Sequence, residues 1–159
     1  MKRLKILSIA AASGRIGYVF FVGRKMTSWG ISRKASKTPE LAAEKTQQWI
    51  KTMNPDVVVS EKITKTSTKG ERSKSLIAAI LRTASEHYLL DVAVKREQVF
   101  QNKYLEANTL AKEFPEIQPW VPKKPRIWQT EPRNTIYFEA LALAKVILDG
   151  PTPVLVRAT

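Results

Sequence analysis

Apolar positions in this chain fall in short, bounded runs. Residues 4–9 and 17–22 are apolar and flanked by small residues, which predicts two strands. Gly23-Arg24-Lys25 reads as a tight hairpin turn into a third strand over 26–31. Thr38 before Pro39 predicts a helix start, a hydroxyl cap followed by proline at the first helical position. Leu41, Ala42, Thr46, Trp49, Ile50 and Met53 then recur on one side, and Asn54-Pro55 ends the helix. Val57-Val58-Val59 predicts a strand buried on both faces and reached by a helical crossover. Residues 63–74 read as a polar, basic loop. Ser73 reads as the cap of a helix carrying Leu76, Ile77, Ile80, Leu81, Ala84 and Tyr88. A short strand over 91–95 and a helix over 103–114 follow. Pro115, Pro119, Pro122 and Pro125 predict a loop over 114–130. A long apolar helix over 134–148 stops at Asp149-Gly150-Pro151. Three strands, helix, strand, helix, strand and helices predict an α/β domain: a mixed five-stranded sheet with helices on both faces.

Length changes little in this picture: 159 residues suit one domain with a sizeable core. No run approaches the length of a membrane span, and the charged start followed by a short apolar run is not a signal-peptide pattern. The chain has no cysteine, which excludes disulfides and thiolate metal sites and fits a cytoplasmic location. The single histidine, His87, argues against imidazole zinc sites and His-dependent triads.

Charge changes more. The net charge is +13, and residues 1–74 carry 16 Lys and Arg against 5 acids. Such a concentrated positive field points to a polyanion, and nucleic acid is the commonest one.

Two carboxylates stand in apolar surroundings. Glu61 closes the valine strand, and Glu139 lies within Ile136-Tyr137-Phe138-Glu139-Ala140-Leu141-Ala142. Buried singly, an ionised carboxylate is costly and needs a partner or an ion. Each taken alone also fits a glutamate that reaches the surface or pairs with Lys or Arg. Brought together, the two could offer oxygens to a hard cation such as Mg²⁺.

These motifs, in order, resemble the RuvC-type Holliday junction resolvases of the RNase H-like superfamily. Residues 4–18 resemble the family's opening, a strand ending in aspartate and followed by small residues, a Ser and a Gly-Tyr. Here the aspartate's place is taken by Ala10. Val57-Val58-Val59-Ser60-Glu61 resembles the strand that ends in glutamate, and Glu139-Ala140-Leu141-Ala142 the acidic stretch of the last core helix. The resemblance spans residues 4–148. It implies one RNase H-like domain over 1–150 with a tail over 151–159, and an endonuclease that resolves branched DNA with Mg²⁺ or Mn²⁺. Glu61 and Glu139 would be metal ligands, and Ala10 marks a missing one. The family's further acid, three residues before Glu139, is here Ile136, which leaves Glu131 as a candidate substitute. The resemblance also implies a homodimer, with the helix over 73–88 as a contact face.

Two readings of Ala10 follow: a silenced form with aspartate replaced, or a natural non-cutting relative. The otherwise intact opening favours the first. The rival functions are a non-catalytic nucleic-acid-binding protein of this fold and an RNA-cleaving member of the superfamily.

The loop after Glu61 supplies Lys62, Lys65, Lys69, Arg72 and Lys74 as candidate phosphate contacts. A second basic cluster, Arg33 and Lys34 with Lys37, precedes the first helix. A third, Lys123, Lys124 and Arg126, precedes the last. Trp120 and Trp128 flank the third cluster and could stack on bases, although tryptophans are more often packed. Trp49 reads as core, and His87 as a helix-end residue.

Overall fold

The computed structural model describes residues 3–64, 67, 69–95, 102–129 and 131–150. Its centre is a five-stranded sheet of order β3-β2-β1-β4-β5, formed by β1 (Lys5–Ala12), β2 (Arg15–Val22), β3 (Lys25–Ser32), β4 (Val57–Glu61) and β5 (Leu90–Val94). β1, β2 and β3 pair antiparallel, whereas β1, β4 and β5 run parallel. This is the mixed RNase H-like sheet expected. Helix α1 (Pro39–Met53) and α2 (Glu71–Ser85) cover one face; α3 (Lys103–Glu113) and α4 (Thr135–Leu148) cover the other.

β1 and β2 extend further than their apolar runs. Ala10 pairs with Gly17 and Ala12 with Arg15 across a two-residue turn, Ser13-Gly14, where Gly14 takes φ +84°. The valines of β4 are buried on both faces, as their continuous run predicts. Thr38 caps α1, its Oγ1 accepting from the Leu41 N–H at 3.1 Å. Asn54 closes that helix at φ +47°.

Three expectations are corrected. Ser73 does not cap α2; Gly70 does, and Ser73 lies buried within the first turn. Spaced three and four residues before Leu76 and Ile77, it belongs to the inward stripe. Tyr88 leaves that stripe because the helix ends at Ser85, and its ring is fully exposed. The proline-rich stretch is not all loop: Pro115–Trp120 forms 3-10 turns that start at a proline, where no N–H is required. The expected tail over 151–159 lies outside the described residues. No helix among them is long and apolar enough to cross a membrane.

Candidate functional site

The alternation of β1 turns Ile6 and Ala10 toward α3 and α4, and that of β4 turns Val57 and Val59 the same way. Glu61, two residues beyond Val59, follows on that side. The parallel register of β1 and β4 runs from Ile6↔Val57 to Ser8↔Val59 and stops there. Ala10 and Glu61 therefore lie past the paired segment, at the carboxyl ends of the parallel strands. Open α/β sheets leave a crevice there for ligands. On the same face, Ser8 Oγ donates to the Ala140 carbonyl at 2.6 Å and pins α4 against β1 one residue from Glu139.

The two glutamates meet around a lysine. Lys69 Nζ donates to Glu139 Oε1 at 3.0 Å and to the Ala11 carbonyl at 2.8 Å, and lies 3.8 Å from Glu61 Oε1. All three side chains are largely buried, at 18% exposure for Lys69, 8% for Glu61 and 16% for Glu139. Lys69, expected as a phosphate contact, here faces the two carboxylates. Two carboxylates in poor contact with water need a counter-charge, and the nearest loop supplies one.

Position 10 is apolar in its surroundings as well as in itself. Ala10 is buried opposite Gly17. Ile136, where the family resemblance leads one to look for an acid, is also buried and presses on Gly17. Glu131, the candidate substitute, is engaged by basic side chains. It pairs with Arg15 at 2.9 Å and with Lys103, and Arg15 also donates to Thr135 Oγ1 at the start of α4. Burial pushes the Glu131 carboxyl upward, but hydrogen bonds and charge from Lys103 and Arg15 outweigh it and hold the group below its ordinary value. Among the described residues no three acids or histidines gather as a metal cluster would require.

The remaining basic residues divide. Arg72 donates to the carbonyls of Ser36 and Lys37, at 3.4 and 3.3 Å. That bond draws the Arg33–Lys34 cluster beside the start of α2. Lys74 pairs with Glu71 within its own helix. Lys62, Arg33, Lys34, Lys123, Lys124 and Arg126 are exposed. Lys65 lies outside the described residues. Lys123, Lys124, Trp128 and Pro132 line an open cavity of 580 Å³, with the Arg126 guanidinium 5.6 Å from the Trp128 ring centre. Glu131, one residue from Pro132, ties this stretch to Arg15 beside the β1–β2 turn. The first cluster thus starts at Glu61, the second adjoins the start of α2, and the third adjoins Pro132. Trp120, by contrast, packs edge-on against Trp29 at 5.0 Å, and Trp49 against Tyr18 at 4.8 Å. His87 Nε2 meets Gln47 Oε1 at 2.6 Å, just past the end of α2.

No family model matches the chain, and no curated protein matches it. Solved structures do. Thermus thermophilus RuvC in complex with Holliday junction substrate superposes with a TM-score of 0.61 at 14% identity, over 89% of this chain and 90% of that one. The yeast mitochondrial Holliday junction resolvase gives 0.58 at 11%, over 92% and 80%. The fowlpox virus resolvase in complex with Holliday junction DNA gives 0.58 at 12%, over 92% and 97%. The chain has the RuvC resolvase fold.

Ala10 and Ile136 meet at Gly17, the first paired with it across the strands and the second packed on it from α4. The inward course of Lys69 and the clamp of Arg15 on Glu131 were not legible from spacing. Neither residue repeats at a helical or strand period. The one local signal is the placement of Lys69 directly before the capping Gly70.

The apolar residues of the helix expected as a dimer face, Leu76, Ile77, Ile80 and Ala84, are turned to the sheet. Its outward residues, Glu71, Arg72, Ser75, Ala78, Arg82 and Ser85, are polar or small.

Proposed function

We propose that this chain binds branched DNA on the edge of the sheet that carries Ala10, Glu61 and Glu139, as a RuvC-type nuclease silenced at position 10. One observation carries the reading: two glutamates from β4 and α4 converge on the Lys69 ammonium, which also donates to the carbonyl one residue past Ala10. Arg33, Lys34, Lys62, Lys123, Lys124 and Arg126 are the candidate phosphate contacts around that edge. Two of the similar solved structures hold Holliday junction DNA, which supports a branched substrate.

The donor set of the chain as it stands does not fit the Mg²⁺ or Mn²⁺ implied by the resemblance. Two carboxylates share an ammonium, and the positions that would complete the set hold Ala10 and Ile136. No step of a reaction is therefore drawn through a metal here. An aspartate at position 10 would change this. A third carboxylate there would add negative charge to attract a divalent ion. Bound there, such an ion would activate water and stabilise the leaving oxygen of a phosphodiester. The homodimer remains part of this proposal, because resolving a junction takes two symmetric cuts.

The test compares the chain with Ala10→Asp on four-way, flap, duplex and RNA–DNA hybrid substrates. Both proteins should bind the four-way junction more tightly than duplex. Only Ala10→Asp should cut it, and only with Mg²⁺ or Mn²⁺. Equal affinity for duplex and junction would sink the branched-DNA reading. A folded Ala10→Asp that cuts nothing would leave a binding protein of this fold.

A further inference from the structure

We propose that Lys69 is the resident cation of the Glu61–Glu139 site, a tethered ammonium that excludes divalent metal from it. The inference goes beyond the DNA-binding reading and stands or falls without DNA.

The geometry is that of a built cation site. A primary ammonium has three donors and no acceptor. Two of the Lys69 donors are used at 2.8 and 3.0 Å, on the Ala11 carbonyl and Glu139 Oε1, and Glu61 Oε1 lies at ion-pair distance on a further side. Oxygens of these three kinds, two carboxylates and a main-chain carbonyl, are those a hard cation takes. They come from three separate elements, β1, β4 and α4, so their convergence is a property of the fold. The ammonium comes from the loop end just before α2, on the opposite face of the sheet, and crosses the sheet edge to reach them.

Two further observations belong with this one. Ala10 and Ile136, beside the site, add no charge to be balanced. Gly70, the α2 cap, has φ −70° and open space where a Cβ would be. The backbone at the base of Lys69 is therefore unstrained and fixed by the helix start. An ion entering from solvent has to displace a group that is already tethered and largely buried. A tethered group competes at high effective concentration.

The inference is tested by Mn²⁺ binding and by amine labelling. In the unaltered protein, Mn²⁺ should show no saturable site in a titration followed by the free-ion electron paramagnetic resonance signal. The melting temperature should not move with Mn²⁺. In Lys69→Met, which keeps most of the apolar stem and removes the charge, one saturable site should appear. Mn²⁺ should then raise the melting temperature by about 2–4 °C or more. Adding Glu61→Gln to Lys69→Met should erase that rise. Acetic anhydride labelling read by mass spectrometry gives the second measurement, on protein with Lys69 in place. Lys69 should label far more slowly than Lys123, and Glu139→Gln should bring it toward the Lys123 rate. Saturable Mn²⁺ binding by the unaltered protein, or Mn²⁺ that speeds Lys69 labelling, would overturn the proposal. So would a folded Lys69→Met that ignores Mn²⁺. Should Lys69→Met not fold, the labelling comparison decides alone: rapid labelling of Lys69 in the unaltered protein overturns it.

Discussion

Gly17 lies so close beneath Ile136 that a Cβ on residue 17 would stand 2.6 Å from Ile136 Cγ2. Ile136 is β-branched and sits in a helix, so its side chain has little freedom to give way. Gly17→Ala should therefore cost about 1–3 kcal/mol through overpacking. Gly17→Ala with Ile136→Ala should recover most of that loss. Urea unfolding of the three proteins checks it. If the single variant is as stable as the parent, α4 does not rest on β2 at this point.

The same packing bears on position 10. An aspartate there enters a buried, apolar neighbourhood, so Ala10→Asp should be less stable than the parent without divalent ions and regain stability with Mg²⁺. Glu61→Gln or Glu139→Gln added to Ala10→Asp should abolish cutting while junction binding persists. A carboxamide keeps the shape and loses the charge. Nicking of a labelled junction and a gel shift on the same samples separate the two effects. A double variant that still cuts removes that glutamate from the site.

The basic clusters should separate by salt. Each phosphate contact on B-form DNA adds about 0.9 to the slope of log affinity against log salt. Lys123, Lys124 and Arg126 changed together to Ala should flatten that slope by up to about 2.7. Lys69→Met should leave it unchanged, since its ammonium is spent on carboxylates. Junction binding over a salt series, with circular dichroism as the folding control, distinguishes them. A slope that moves with Lys69 and not with the exposed cluster would reverse the assignment.

Glu131 gives a pH dependence whose sign follows from its shift. Lys103 and Arg15 hold its carboxyl below the ordinary 4.5 despite partial burial. A depressed carboxyl stabilises the fold above its unfolded-state value, and that contribution fades as pH falls through the folded-state value. Glu131→Gln should thus melt below the parent at neutral pH, and the gap should close as pH drops from about 5 toward 3. Melting temperatures of both proteins across that range test this. A gap that stays constant would mean the pairing with Arg15 and Lys103 contributes nothing ionic.

Much of the architecture was legible because period and punctuation agreed. Thr38-Pro39 and Asn54 bounded α1 as read, and the valines of β4 announced a strand covered on both sides. The start of α2 was misread because Ser73 has a capping side chain but an inward position; three-residue spacing to Leu76 outweighed the hydroxyl. Glu61 and Glu139 could be singled out because a charge in an apolar run has to be answered. What answers Glu139 could not be read. A lysine in a polar loop looks the same in sequence whether it points at solvent or at a carboxylate. The clamp on Glu131 was hidden for a related reason: its partners lie 116 and 28 residues away, and no local pattern links them.

The bond from Ser8 to the Ala140 carbonyl has a consequence for tolerance to change. An α-helix turns by about 100° per residue, so α4 slipping by one position would rotate Glu139 out of its place beside β1. A hydroxyl that takes no part in chemistry therefore acts as an index mark, setting which residue of α4 faces the strand end. Replacing Ser8 by alanine would leave every charged group of the site intact and yet release a contact that counts positions along the helix.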